Sequence, residues 1–116
     1  MAAVQTVGAN YFTKSISLAN STKTTIYTVG DQGEEAADLT GLSAVASVGV
    51  ADTCTFHRLQ ATDATEYILV YRGAVETDFP LQLEGLPIHM TKGDAIKATA
   101  TSGASPVHIH ISINKI

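Results

Sequence analysis

Alternation of apolar and polar positions is clearest near the end of the chain. Val107, Ile109, Ile111 and Ile113 fall on one side of an extended segment, with His108, His110, Ser112 and Asn114 on the other. A period of two predicts a β-strand with four β-branched side chains on one face. Such a face has to be covered by a second layer. Two more strand-like runs precede it, Phe79–Met90 and Asp94–Thr101, with turn signals at Thr91-Lys92-Gly93 and Ser102-Gly103.

The upstream sequence repeats this style. Tyr11–Leu18 alternates, placing Phe12, Ile16 and Leu18 on one face with Lys14 as an interruption. Thr22–Val29 is rich in β-branched and aromatic residues after an Asn20-Ser21 turn signal. Leu42–Val50 puts Leu42, Ala44, Ala46, Val48 and Val50 on one face, and Thr53–Leu59 follows the turn at Ala51-Asp52. Gln60–Thr65 reads as a loop. Glu66–Tyr71 is a nearly continuous apolar run, the pattern of a strand covered on both faces. Between these lies the acidic stretch Gly30–Thr40, an exposed loop with room for one or two helical turns in its GEEAADL core. The pattern predicts an all-β chain: a single-domain β-sandwich or jelly roll of about eight strands. Residues 1–10 are expected to be an N-terminal arm and residues 11–116 the β-sandwich domain.

Length and charge narrow the function classes. A chain of 116 residues is one domain by size. Only 16% of it is charged against 45% hydrophobic, so part of its Thr-, Ser- and Ala-rich outside is expected to be contact surface. The net charge is −4, and the seven Lys and Arg residues are scattered, which argues against nucleic-acid binding. No apolar run is long enough to span a bilayer as a helix. The opening MAAVQTVGAN lacks the pattern of a secretory signal, so synthesis is expected in the cytoplasm.

Candidate chemistry is sparse. His108 and His110 sit two apart on one strand and share its outer face, a geometry that zinc sites on sheets use. A site would need more ligands, from His57, His89 or Asp94. The competing readings are polar outer-face histidines, or histidines at a subunit contact that responds to pH. Cys54 and His57, three apart, face opposite sides of a strand and cannot act as nucleophile and base there. Asp31, Glu34, Glu35 and Asp38 lack the spacing of a calcium loop and read as an acidic surface. There is no Trp for a sugar-binding platform, and Tyr67 and Tyr71 read as core or rim residues.

The order of segments carries a resemblance. Thr24-Thr25-Ile26-Tyr27-Thr28-Val29, then Glu66–Tyr71, Phe79-Pro80-Leu81-Gln82-Leu83, Lys92-Gly93-Asp94, Ala95–Thr101 and Val107–Ile116 follow one another. In residue style this resembles small bacteriophage virion proteins built as single β-sandwiches, over about the last two-thirds of the chain. The chain departs from them after Val29, where those proteins turn through Pro-Ala-Gly and this one inserts Gly30–Thr40. The resemblance implies a capsid decoration (cement) protein on the outer surface of the virion. Its partners would be the major capsid protein and two further copies in a homotrimer, with no cofactor, nucleic acid, membrane or enzymatic activity. On that reading the arm, with Val4 and Val7, or the acidic loop, with Asp31, Glu34, Glu35 and Asp38, touches the shell or a neighbouring subunit. The alternatives are a head-fibre or tail accessory protein binding host glycans, and a small cupin-like metal enzyme using His108 and His110.

Overall fold

The computed structural model describes residues 3–6, 10–18, 21–46, 52–76, 81–101 and 106–116. They form ten strands: β1 (Ala3–Thr6), β2 (Tyr11–Leu18), β3 (Thr24–Thr28), β4 (Ala36–Ala46), β5 (Asp52–Gln60), β6 (Thr65–Val75), β7 (Leu81–Gln82), β8 (Ile88–Thr91), β9 (Ala95–Ala100) and β10 (Val107–Lys115). All pair antiparallel, in two sheets. One sheet runs β1-β2-β10-β4, with β7 and β8 both on the far edge of β4; the other runs β3-β9-β5-β6. The expected all-β sandwich is what the chain adopts. The first strand, at Ala3–Thr6, pairs with β2 within the stretch expected to be an arm.

The core lies between the sheets. The β10 face is buried as its alternation predicts: Val107, Ile109, Ile111 and Ile113 are all closed to solvent. Phe12 and Leu18 from β2 and Leu42, Ala44 and Ala46 from β4 extend the same layer, while Val48 and Val50 lie outside the described residues. Ile26, Cys54, Phe56, Val75, Ile96, Ala98 and Ala100 meet them from the second sheet. Phe12 and Tyr27 stack edge to face across the gap, with ring centroids 5.6 Å apart.

Three expectations need correction. The acidic stretch is only partly a loop, because β4 starts at Ala36 and takes in Ala37, Asp38 and Leu39. Pairing with β10 shifts between Ser112 and Ile113, which face Gly41 and Leu39 and leave Thr40 as an extra residue. That β-bulge lets Leu39 and Leu42, three apart, both point into the core. Phe79 and Pro80 lie outside the described residues, and the rest of the Phe79–Met90 run holds two short strands, separated by a turn through Gly85 and the cis Leu86–Pro87 bond. Finally, β6 is the end strand of its sheet, and most of Glu66–Tyr71 is exposed, not covered on both faces.

Buried carboxylates fix the turns. At the predicted Lys92-Gly93 turn, Gly93 has φ +95°, and a Cβ there would meet the Ala61 Cβ at 3.0 Å. Asp94 accepts hydrogen bonds from the backbone N–H groups of Ala61 (2.9 Å) and Thr91 (3.1 Å). Glu34 plays the same part in the Gly30–Glu35 turn, accepting from the Tyr27 hydroxyl and the Gln32 N–H. Burial pushes the Glu34 carboxyl up, but these hydrogen bonds outweigh it and hold the group below its ordinary value. Tyr27→Phe removes the side-chain donor and leaves Glu34 less satisfied, so stability in urea denaturation should fall by about 1–2 kcal/mol. Because the depressed carboxyl stabilises the fold only while ionised, that deficit should shrink as the pH falls through the acid range.

Candidate functional site

Two surfaces carry polar or apolar side chains that the core does not use. The first is the outer face of the six-stranded sheet. Register places Ser15, His110, Ser43 and Gln82 in one row across β2, β10, β4 and β7. Ser17, His108 and Val45 form the next row. The serines fix the imidazoles: Ser15 Oγ lies 2.7 Å from His110 Nδ1, and Ser17 Oγ lies 2.8 Å from His108 Nδ1. Beside the row, the Thr40 bulge and the bare Cα of Gly41 leave a groove of about 340 Å³, walled by Leu83 and Leu86. Thr40 Oγ1 donates to the Ser112 carbonyl (3.1 Å) and contacts the Tyr11 hydroxyl (3.2 Å), so the rim of the groove is fixed.

The second surface is the β6 edge with the outer face of the four-stranded sheet. Tyr67, Ile68 and Tyr71 are 45%, 56% and 65% exposed. Arg72 sits at φ 49°, a left-handed conformation costly for a non-glycine residue. It is held there by its N–H donating to Thr55 Oγ1 at 3.0 Å, and its guanidinium lies 5.4 Å over the Tyr71 ring. From β6 itself, Glu66 bridges Lys23 (2.7 Å) and Lys97 (3.3 Å), and His57 approaches Glu66 at 3.8 Å. Burial first, and then the Lys23 charge, lower the His57 imidazole below its ordinary value. A hollow of about 390 Å³ opens between Lys23, His57, Tyr71 and Arg72.

The histidines named from sequence are not brought together. His108 and His110 share the outer face of one sheet, whereas His57 stands on the outer face of the other, across the core. His89 is taken by Asp38, at 2.8 Å. Asp94 is buried under its turn and bonded to backbone and Arg58. Among the described residues no three His, Cys, Asp or Glu side chains are placed to hold a metal. Cys54 points into the core, where burial pushes its thiol up to about 12, so no reactive thiolate forms near neutral pH.

Of the residues expected at a contact, Glu34 is buried in its own turn, Glu35 is exposed and lies 3.6 Å from Lys92, and Asp31 is exposed. Val4 lies in β1 and Val7 lies outside the described residues. The groove residues Thr40, Ser43 and Gln82 were not picked out from the sequence, because their grouping depends on which strands become neighbours. The nearly continuous apolar run Glu66–Tyr71 predicts a strand covered on both faces, yet Ile68 and Tyr71 are exposed. No protein-family model, no curated protein and no solved structure matches the chain.

Proposed function

We propose that this chain is a structural protein of a bacteriophage virion: a decoration, or cement, protein that binds the outside of the assembled head as a homotrimer and stabilises it. The observation that carries the proposal is the β6 edge. Three large apolar side chains, Tyr67, Ile68 and Tyr71, stand in solvent on an end strand of a sandwich whose other large apolar groups are mostly buried. Ile68 and Tyr71 border one hollow on the outer face, and an exposed apolar pair of this size marks a protein contact. The resemblance in segment order to phage β-sandwich proteins supplies the kind of contact.

The physical account is one of repeated weak contacts. A standard interface covers about 800 Å² per partner, a sizeable share of the 5995 Å² that this chain exposes. In the proposed trimer the β6 edges meet around the threefold axis. The exposed acids Asp31 and Glu35, or the segment before β2, then face the major capsid protein. Three linked contacts raise the affinity of each without new chemistry. Because the protein binds the assembled lattice and not free subunits, occupancy stabilises the shell by mass action.

The test couples mass to binding. Light scattering over a dilution series should give three times the 12.1 kDa of the chain. The double variant Ile68→Asp, Tyr71→Asp changes exposed positions only, so it should fold, run as a monomer and co-sediment with stripped heads at least tenfold more weakly. A wild-type monomer whose head binding is untouched by the double variant would sink the proposal.

A further inference from the structure

The groove on the outer face of the six-stranded sheet has a chemistry that decoration does not require. Among the described residues its polar lining is Thr40, Ser43, Gln82, His110 and Ser112, with no Lys, Arg, Asp or Glu. The ligand it suits is therefore uncharged. The hollow under β6, by contrast, is bordered by Lys23 and Arg72.

The geometry points to a neutral saccharide site in this groove. Hydroxyl, carboxamide and imidazole groups each offer both donor and acceptor capacity, which is what a ligand made of hydroxyl groups needs at every contact. His110, Ser43 and Gln82 come from three adjacent strands, so their side chains span roughly 10 Å at a strand spacing of about 4.8 Å. Ser15 engages His110 Nδ1, which sets the ring and leaves Nε2 as its second polar atom in a residue that lines the groove. Leu83 and Leu86 provide an apolar wall on which the C–H face of a pyranose ring can lie. At about 340 Å³ the groove is at the small end of ligand pockets, suited to one or two sugar rings.

A peptide fits less well. Peptide strands are usually captured along an open sheet edge by backbone groups. Here β4 is paired with β10 on one side, and on the other with β8 at residues 36–39 and with β7 at residues 43–44, so between these only residues 40–41 lie outside that second pairing, too short an edge for a peptide strand. Recognition must go through side chains. The bulge that inserts Thr40 and the absence of a side chain at Gly41 shape the floor: a Cβ at Gly41 would lie 3.3 Å from Ser112 Oγ. The site faces away from the sheet that carries β6, so a trimer joined through β6 leaves it open to solvent.

The full-length protein would be screened on an array of neutral and acidic glycans. The neutral mono- and disaccharides identified would then be titrated by NMR, following the His110 ring and the Ser43 and Gln82 amides. At least one neutral sugar should shift these signals. His110→Ala should weaken binding at least tenfold, and Gly41→Val, which fills the floor, should abolish it. Thr99→Ala, on the opposite sheet, should change nothing. Circular dichroism would establish that each variant is folded. The inference is overturned if no neutral glycan binds, if only acidic glycans or peptides bind, or if folded His110→Ala and Gly41→Val proteins bind as wild type does.

Discussion

Replacing Asp94 by Ala is expected to remove about 3 kcal/mol of folding stability, more than Tyr27→Phe does at the Glu34 turn. Asp94 is 2% exposed, and its carboxylate gathers three elements. Its oxygens accept from the Thr91 N–H in its own turn, from the Ala61 N–H in the turn between β5 and β6, and at 3.5 Å from the Arg58 guanidinium. Loss of the carboxylate leaves two backbone donors without partners in part-buried positions, so the cost of each lies in the lower half of the usual range. Each such orphan costs about 1–3 kcal/mol. The long Arg58 contact adds little, although Arg58 Nε already has no partner among the described residues and its guanidinium would keep only the His89 carbonyl. Asp94→Asn keeps one acceptor oxygen and should lose about half as much.

The pH dependence gives this prediction a second readout. Burial pushes the Asp94 carboxyl up, but the N–H groups of Ala61 and Thr91 and the Arg58 charge outweigh it and hold the group below its ordinary value. A depressed folded value means that the unfolded chain binds the proton first. The contribution of Asp94 is therefore complete above the unfolded value, about 3.9, and is lost as the pH falls through the folded value. Urea midpoints of the wild type should be flat near neutrality and drop below about pH 4. The Asp94→Asn midpoint should start lower and drop less steeply. Parallel curves for the two proteins would show that Asp94 is not the group responsible.

How much of this could be read in advance depended on whether one local period governed a segment. The β10 face was legible because four β-branched residues alternate without interruption, and the turn at Lys92-Gly93 because only a small residue without a Cβ suits φ +95° against Ala61. The start of β4 was hidden by its bulge: apolar residues at 37, 39, 42, 44 and 46 break step at Thr40, and the spacing from Leu39 to Leu42 looks helical. The groove was hidden for a different reason. His110 and Ser112 show as outer-face residues, but Ser43 and Gln82 join them only once the sheet order β10-β4-β7 is known. Sequence alternation assigns faces; it does not assign neighbours.

Ile109→Ala and Ile68→Ala form a matched pair that tests how the two apolar strands differ. Ile109 is fully buried at the centre of β10, between β2 and β4, and truncation leaves a cavity in a layer formed from both sheets. The expected loss is about 3–4 kcal/mol, from the transfer of the lost methyl groups and the cavity together. Ile68 is 56% exposed on β6. In dilute protein the same substitution should cost less than about 0.5 kcal/mol, as surface changes do. Chemical denaturation at two protein concentrations separates folding from association. If β6 meets other copies of the chain, the Ile68→Ala deficit grows with concentration while the Ile109→Ala deficit keeps its size, because only the former removes apolar surface that a partner covers. Equal and concentration-independent losses would place Ile68 inside the monomer's own core and remove β6 as the contact edge.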